Sequence, residues 1–140
     1  MLYRVAEGSL TLDEGDWQDQ SINVLLPTHL PVQGANLVLA RDKLPLGMTL
    51  DDYIAQQRQN FSQQLAEVQM LGDLRGQLDG REAHFLEFHW QSDGKPIHQM
   101  MATVLHGQKE VLNFTGSIPG GVDEDTRRTL MQAVTSFKFA

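Results

Sequence analysis

The 140-residue chain predicts an α+β fold, an antiparallel β-sheet with two helices. Three observations carry this. Apolar residues alternate at period two in several runs, glycine-bearing turns separate the runs in the second half, and the period switches to helical in two places. The predicted order is strands, helix, strands, helix, and the length fits one domain over residues 1–140.

In chain order, "SINVLLP" (21–27) sets Ile22, Val24 and Leu26 against polar Asn23, and "ANLVLARD" (35–42) is a second β-rich run closed by a charged pair. "LPLGMTLDDYIAQQRQNFSQQLAEV" then changes period. Thr49, three residues before Asp52, makes a capping-box-like start, and Leu50, Ile54, Phe61, Leu65 and Val68 recur at helical spacing. Four strand-like runs follow: "MLGDLRGQL", "GREAHFLEFHWQ", "KPIHQMMATVLHG" and "KEVLNFTGSI". In "SDGK", Asp93-Gly94 suits a two-residue type I′ hairpin, which sets Trp90 opposite Ile97, Phe88 opposite Gln99 and Leu86 opposite Met101. A second turn near Gly107-Gln108 is expected to set Met101 opposite Phe114 and Thr103 opposite Leu112. Finally "PGGVDEDTRRTLMQAVTSF" opens on acidic residues suited to a helix N-terminus and carries Val122, Leu130, Val134 and Phe137 on one stripe.

A chain of this length buries roughly 68–70% of its unfolded surface, enough to fold without a metal or disulfide. The absence of cysteine removes thiolate nucleophiles, disulfides and thiolate zinc sites. With 11 Lys+Arg against 18 Asp+Glu and a formal charge of −7, the chain repels a phosphate backbone, and its cations form no stripe. Nucleic acid and anionic lipid are therefore poor partners. "MLYRVAEGSL" lacks the unbroken apolar run of a secretory signal, and no stretch approaches the roughly 18 apolar residues of a membrane span. The expectation is a cytoplasmic protein that does not insert into membranes.

The predicted register places polar groups on apolar faces. One face collects Leu86, Phe88, Trp90, Ile97, Gln99, Met101, Leu105, Leu112 and Phe114, with a glutamine in its middle. The reverse collects Phe85, Met100, Ala102, Val104 and Val111 beside Glu87, His89 and His98. Met100 and Met101 thus point to opposite faces; Met100 is expected beneath a helix of its own chain and Met101 beneath a partner's. The helix seam Ile54, Gln57, Phe61, Gln64, Val68 carries two glutamines where leucine is usual. An amide without partners in a dry core costs about 1–3 kcal/mol. The alternatives are that these glutamines lie at a wet rim or a sheet edge, or that they line a concave apolar surface. Methionine adapts to irregular partners, and side-chain amides hydrogen-bond between apolar helices in membranes. The concave reading implies an apolar helix as partner.

Catalytic patterns are weak. His89 lies across from His98 with Glu87 diagonal to them, a donor set that can bind a transition metal but that also suits a solvated strand surface. "HGQKE" and "GSIPGG" lack the spacing of a phosphate cradle, no serine sits in a GxSxG elbow, and the acid pairs Asp51-Asp52 and Asp123-Glu124 belong at helix starts. No catalytic residue, metal or cofactor is assigned.

"LYRVAEGSLTL", "WQDQSINVLL", "LVLARDKLPLGMTLDDYIAQQ", "LDGREAHFLEFHWQSDGKPIHQ" and "VLNFTGS" together resemble the DcrB-related family, in particular its Eag branch of type VI secretion effector chaperones. The order and spacing of five blocks over nearly the whole chain carry the resemblance, not a single motif. It implies a Mog1/PsbP-like fold and a cytoplasmic homodimer without enzymatic activity. The implied partner is the N-terminal transmembrane region of a PAAR-containing effector, often an Rhs toxin, held before loading on the secretion spike. The implied hydrophobic groove includes Ile22, Val24, Val38, Gln57, Phe61, Leu65, Ile97 and Met101, to which the apolar-face reading adds Gln64 and Gln99. Where relatives are expected to carry a glutamine, this chain has Met101, so Gln99 is expected to supply the amide. The rival readings are a module of the same fold that takes a small apolar molecule, and a histidine-based metal site.

Overall fold

Two Asp-Gly dipeptides fix one half of the sheet. In the computed structural model, which describes residues 1–140, Asp93 and Gly94 both take positive φ (52° and 77°), as do Asp79 and Gly80 (49° and 77°). These are the backbone demands of a type I′ turn. They join three long strands, which follow three short ones and a fourth of eight residues. In order, the elements are β1 (Leu2–Val5), β2 (Gly8–Thr11), β3 (Asn23–Leu25), β4 (Asn36–Lys43), α1 (Leu50–Gln64), β5 (Ala66–Leu78), β6 (Arg81–Ser92), β7 (Lys95–His106), β8 (Glu110–Pro119) and α2 (Glu124–Thr135). β3-β4-β8-β7-β6-β5 form one antiparallel sheet, and β1-β2 a separate hairpin. The α+β class and the order read from the sequence hold. The β1–β2 hairpin was not foreseen; its turn residues Ala6 and Glu7 carry no primed-turn signal.

The β6–β7 register is the expected one, with Trp90 opposite Ile97, Phe88 opposite Gln99 and Leu86 opposite Met101. The β7–β8 register differs by one residue. Met101 faces Thr115 and Thr103 faces Asn113, because Gly107, Gln108 and Lys109 all lie in the turn. A one-residue slip exchanges the faces of a strand. Val111 therefore joins the face of Leu86 and Met101, while Leu112 and Phe114 move to the reverse.

Each face carries one helix. α2 buries Leu130 and Val134 against Leu37, Met100, Ala102, Val104, Phe114 and Ile118. Gly116 permits this approach, since a Cβ there would stand 3.3 Å from Leu130 Cδ1 and 3.2 Å from Met100 Cε. Val122, expected on the α2 stripe, precedes the helix and is exposed. On the opposite face α1 begins with the predicted capping box: Thr49 Oγ1 accepts from the Asp52 amide at 3.1 Å, and the Asp52 carboxylate accepts from the Thr49 amide at 3.1 Å. Leu50, Tyr53 and Ile54 pack with Leu44, Leu86, Phe88 and Val111.

α1 stops at Gln64, and Leu65 is already extended (ψ 139°). Val68, expected on the helical stripe, belongs instead to β5 but still packs on the same apolar cluster as Phe61 and Leu65. That shared destination explains why its spacing resembled a helical one. β5 is an edge strand broken by two register shifts, and Glu67 has positive φ, features that blunt an edge against pairing with another sheet. No helix is long and apolar enough to cross a membrane.

Candidate functional site

The α1 face of the sheet is only partly covered. α1 starts beside Leu44 at the end of β4 and crosses towards β5, where Arg58 makes a two-point ion pair with Asp73 at 2.6 and 2.9 Å. The Arg58 guanidinium, aided by a hydrogen bond from His84, holds the Asp73 carboxyl down to about 2. Near its start α1 is also anchored by Tyr53, whose hydroxyl donates to Asp42 and accepts from Asn113, both at 2.9 Å. Asn113 in turn accepts from Thr103 at 2.7 Å. Burial pushes the Tyr53 hydroxyl up to about 12, opposed by the hydrogen bond from Asn113 and aided by Asp42. These anchors hold α1 over the β5–β6 side and the Val111 end of β8.

The remaining part of that face is built from three rows of paired residues, since directly paired antiparallel residues share a face. The first row runs Val24, Val38, Thr115, Met101 and Leu86; the second Asn36, Ser117, Gln99 and Phe88; the third Pro119, Ile97 and Trp90. Phe61 of α1 stacks on Phe88 with ring centres 4.9 Å apart and forms the wall on one side. On the other side lies β3, where Val24 is 58% exposed and the flanking Ile22 is 62% exposed. Between these walls Val38, Ile97, Gln99 and Met101 are half-buried, not sealed into the interior. A hollow of about 350 Å³ lies at the β6–β7 hairpin tip, between Ser92, Asp93, Lys95, Pro96 and Gly120, and reaches these rows only at Ile97 and Pro119.

The ten residues singled out in the sequence distribute as follows. Val24, Val38 and Met101 share the first row, with Gln99 and Ile97 in the next two. Phe61 and Leu65 pack against the same cluster as Trp90 and Met101. Gln57 is half-buried on α1, whereas Gln64 is exposed at its last position and Ile22 lies just ahead of β3. Gln64 thus follows the rim alternative for the seam glutamines.

Gln99 is not an orphan amide. Its Oε1 accepts from Trp90 Nε1 at 2.8 Å and its Nε2 donates to Ser117 Oγ at 2.8 Å. Ser117 and Thr115 were not singled out in the sequence, because the slipped β8 register put Leu112 and Phe114 on this face in their place, and Asn36 reaches the row through a β4–β8 pairing that the sequence did not indicate.

On the reverse face, Glu87 takes two hydrogen bonds from Arg127 of α2 at 2.6 and 2.8 Å and one from buried His98 at 2.5 Å. His98 Nδ1 lies 3.1 Å from His89 Nδ1. Burial pushes the His98 pKa down against the pull of Glu87, and Arg127 lowers that of Glu87. Neutral His98 therefore donates Nε2–H to Glu87 and accepts at Nδ1 from His89. Both His98 nitrogens, His89 Nδ1 and the Glu87 carboxylate are engaged with one another and with Arg127, so this cluster joins α2 to the sheet. A separate open cleft of about 780 Å³, lined by Trp17, Arg41, Lys43, His106, Phe137 and Phe139 among others, lies at the far end of β4, away from the rows above.

The DcrB family description matches residues 7–136. Over 97 residues the chain is 33% identical to a Pseudomonas aeruginosa protein named Effector EagT6, covering 69% of this chain and 67% of that one. Among solved structures, a P. aeruginosa protein of unknown function, PA94, superposes with a TM-score of 0.82 at 26% identity over 100% of this chain and 96% of its own. Two more distant structures share the fold. LpqN of Mycobacterium tuberculosis, described as involved in cell envelope biogenesis, has a TM-score of 0.53 at 20% identity, covering 86% of this chain and 81% of its own. Cyanobacterial PsbP from Synechocystis has 0.51 at 17%, covering 89% and 95%. The resemblance read in the sequence is borne out: the chain belongs to the DcrB family and is related to EagT6.

Proposed function

We propose that this protein is a type VI secretion effector-associated chaperone that holds the N-terminal transmembrane helices of a PAAR-containing effector, of the Rhs type or another, before loading on the secretion spike. It works in the cytoplasm, as a homodimer and without catalysis. The observation that carries the reading is the uncovered half of the α1 face, where exposed Val24 and half-buried Val38, Ile97 and Met101 surround a short polar row. Kinship with EagT6 supports an effector-associated role.

The physical task fits the scale of the molecule. A span of roughly 20 apolar residues is about 30 Å long as a helix, and in cytosol it aggregates or enters the wrong membrane. A chain of this length has a radius of gyration near ~14 Å, so one protomer lines one side of such a helix and two can enclose it. Burying about 800 Å² of apolar surface contributes on the order of 20 kcal/mol gross, before association and ordering costs. That suffices to keep the segment soluble while leaving transfer to a bilayer or to the spike reversible. Co-expression with the N-terminal segment of a neighbouring PAAR effector tests the proposal. The segment should be recovered in the soluble fraction only with this protein, and Val24→Arg or Gln57→Ala should reduce recovery. Equal recovery with both variants would sink the groove.

A further inference from the structure

We infer that Trp90 and Ser117 are positioning residues that lock the Gln99 side chain in one orientation, so that the surface reads the direction of a polar group on an apolar helix. The inference rests on the proposed cargo-holding role and deepens it. An indole N–H can only donate, so the Gln99 atom facing Trp90 Nε1 at 2.8 Å must be the carbonyl oxygen. The amide nitrogen is thereby turned towards β8, where it donates to Ser117 Oγ at 2.8 Å. The two contacts come from opposite sides, since Trp90 is on β6 and Ser117 is paired directly with Gln99 on β8.

Each contact uses only part of what the amide offers. A glutamine has two N–H donors and two carbonyl lone pairs; one of each is spent within the sheet. One N–H remains on the β8 side and one lone pair on the β6 side. The Ser117 hydroxyl, which accepts from Gln99, keeps its own proton to donate. Ile97, Met101 and Val38 beside this row are apolar; the other polar side chains on the face are Thr115, between Val38 and Met101, and Asn36, which donates to the Gly34 carbonyl, and Gln99 is half-buried. A free glutamine could present either end to a visitor. This one presents an acceptor towards β6 and donors towards β8. The matching group is a side-chain amide or hydroxyl on an otherwise apolar helix, with its donor directed to β6 and its acceptor to β8.

The test uses the full-length protein and two synthetic 20-residue leucine-alanine helices, identical except for one central Asn or Ala, presented in mild detergent. Wild type should bind the Asn helix about three- to thirtyfold more tightly, the range of interhelical side-chain hydrogen bonds in apolar surroundings. Trp90→Phe and Ser117→Ala, both within the open face, should each lower that ratio towards one by weakening the Asn helix more than the Ala helix. A merely structural loss would instead weaken both helices together. Ser117→Thr keeps the hydroxyl and should keep the ratio. A wild-type ratio retained in both Trp90→Phe and Ser117→Ala overturns the positioning role while leaving the cargo-holding reading intact. No binding of either helix by wild type overturns both.

Discussion

The two faces of the sheet make opposite use of adjacent methionines. Met100, 5% exposed, sits beneath α2 among Leu130, Ala102 and Ile118, while Met101 is half-buried at the margin of α1 in the row that continues to exposed Val24. α2 closes its face because its apolar stripe, the glycine at position 116 and the Arg127–Glu87 ion pair all converge on one docking geometry. α1 is anchored by polar contacts near its start, from Tyr53 to Asp42, and at its middle, from Arg58 to Asp73, and leaves part of the other face uncovered. One helix completes a core; the other fences off a surface.

That contrast is broken most forcefully through the closed face. Leu130→Ala removes buried methyl groups from the centre of the α2 contact and should destabilise the fold by about 2–5 kcal/mol, read as a lower urea midpoint. If the cost were under about 1 kcal/mol, the α2 face would not be the close-packed one. Arg127→Met comes next. It leaves the Glu87 carboxylate with only its histidine partner and should cost about 1.5–3 kcal/mol, the range for hydrogen bonds to charged groups.

Ion pairs on the two faces of the sheet give stability a pH dependence whose sign follows from the shifts. His98 titrates below its ordinary 6.5 in the fold, so the unfolded chain takes the proton first. Its contribution is complete above about pH 6.5 and is lost as the pH falls through the lower folded value. Glu87 and Asp73 act in the same direction further down, Glu87 below about 4.5 and Asp73 between 3.8 and about 2. Stability should therefore fall stepwise on acidification, starting just below pH 6.5. His98→Gln should flatten the first step and Asp73→Asn the last, measured as urea midpoints across pH. An unchanged profile in His98→Gln would remove the imidazole from the account.

How much of this was legible in the sequence depended on turn chemistry. Asp93-Gly94 admits almost one geometry, and the β6–β7 register followed from it without error. Gly107 stands without such a partner, and the turn after it takes three residues where two were expected. In the expected register Gly116, which has no side chain, would have faced Gln99, so the amide looked unsatisfied; the true register brings Ser117 to it. Alternation in β6 and β7 correctly set Gln99 and Met101 on one face, while the residues of β8 beside them were assigned to the wrong face. The end of α1 was hidden because no glycine or proline marks it and Val68 packs where a further helical turn would have placed an apolar side chain.

A smaller effect separates the start of α1 from its packing. Thr49→Ala removes the capping hydrogen bond that the Asp52 amide donates to the Thr49 hydroxyl, while the Thr49 backbone amide can still donate to the Asp52 carboxylate. The expected loss is about 1 kcal/mol, seen as a modest drop in thermal midpoint. Because α1 forms one wall of the open surface, cargo recovery should decline only as far as the fold does. A disproportionate loss of recovery would mean that the position of α1 is tuned by its cap.

The smallest effect on the fold should come from Ile22→Arg. Ile22 is 62% exposed and precedes the three-residue β3, so nothing in the core depends on it and its replacement should shift stability by less than about 0.5 kcal/mol. A guanidinium there nevertheless stands at the open wall, next to the row of Val24, Val38 and Met101, where an apolar helix would have to desolvate it. Recovery of an apolar effector segment should fall severely in a protein whose urea midpoint is unchanged. Leu130→Ala, if still folded at the assay temperature, should give the reverse pattern, with a lowered midpoint and cargo retained. The pair separates the two faces by opposite readouts. Should Ile22→Arg lose stability and cargo in parallel, β3 would belong to the closed core and the open half of the sheet would need a different boundary.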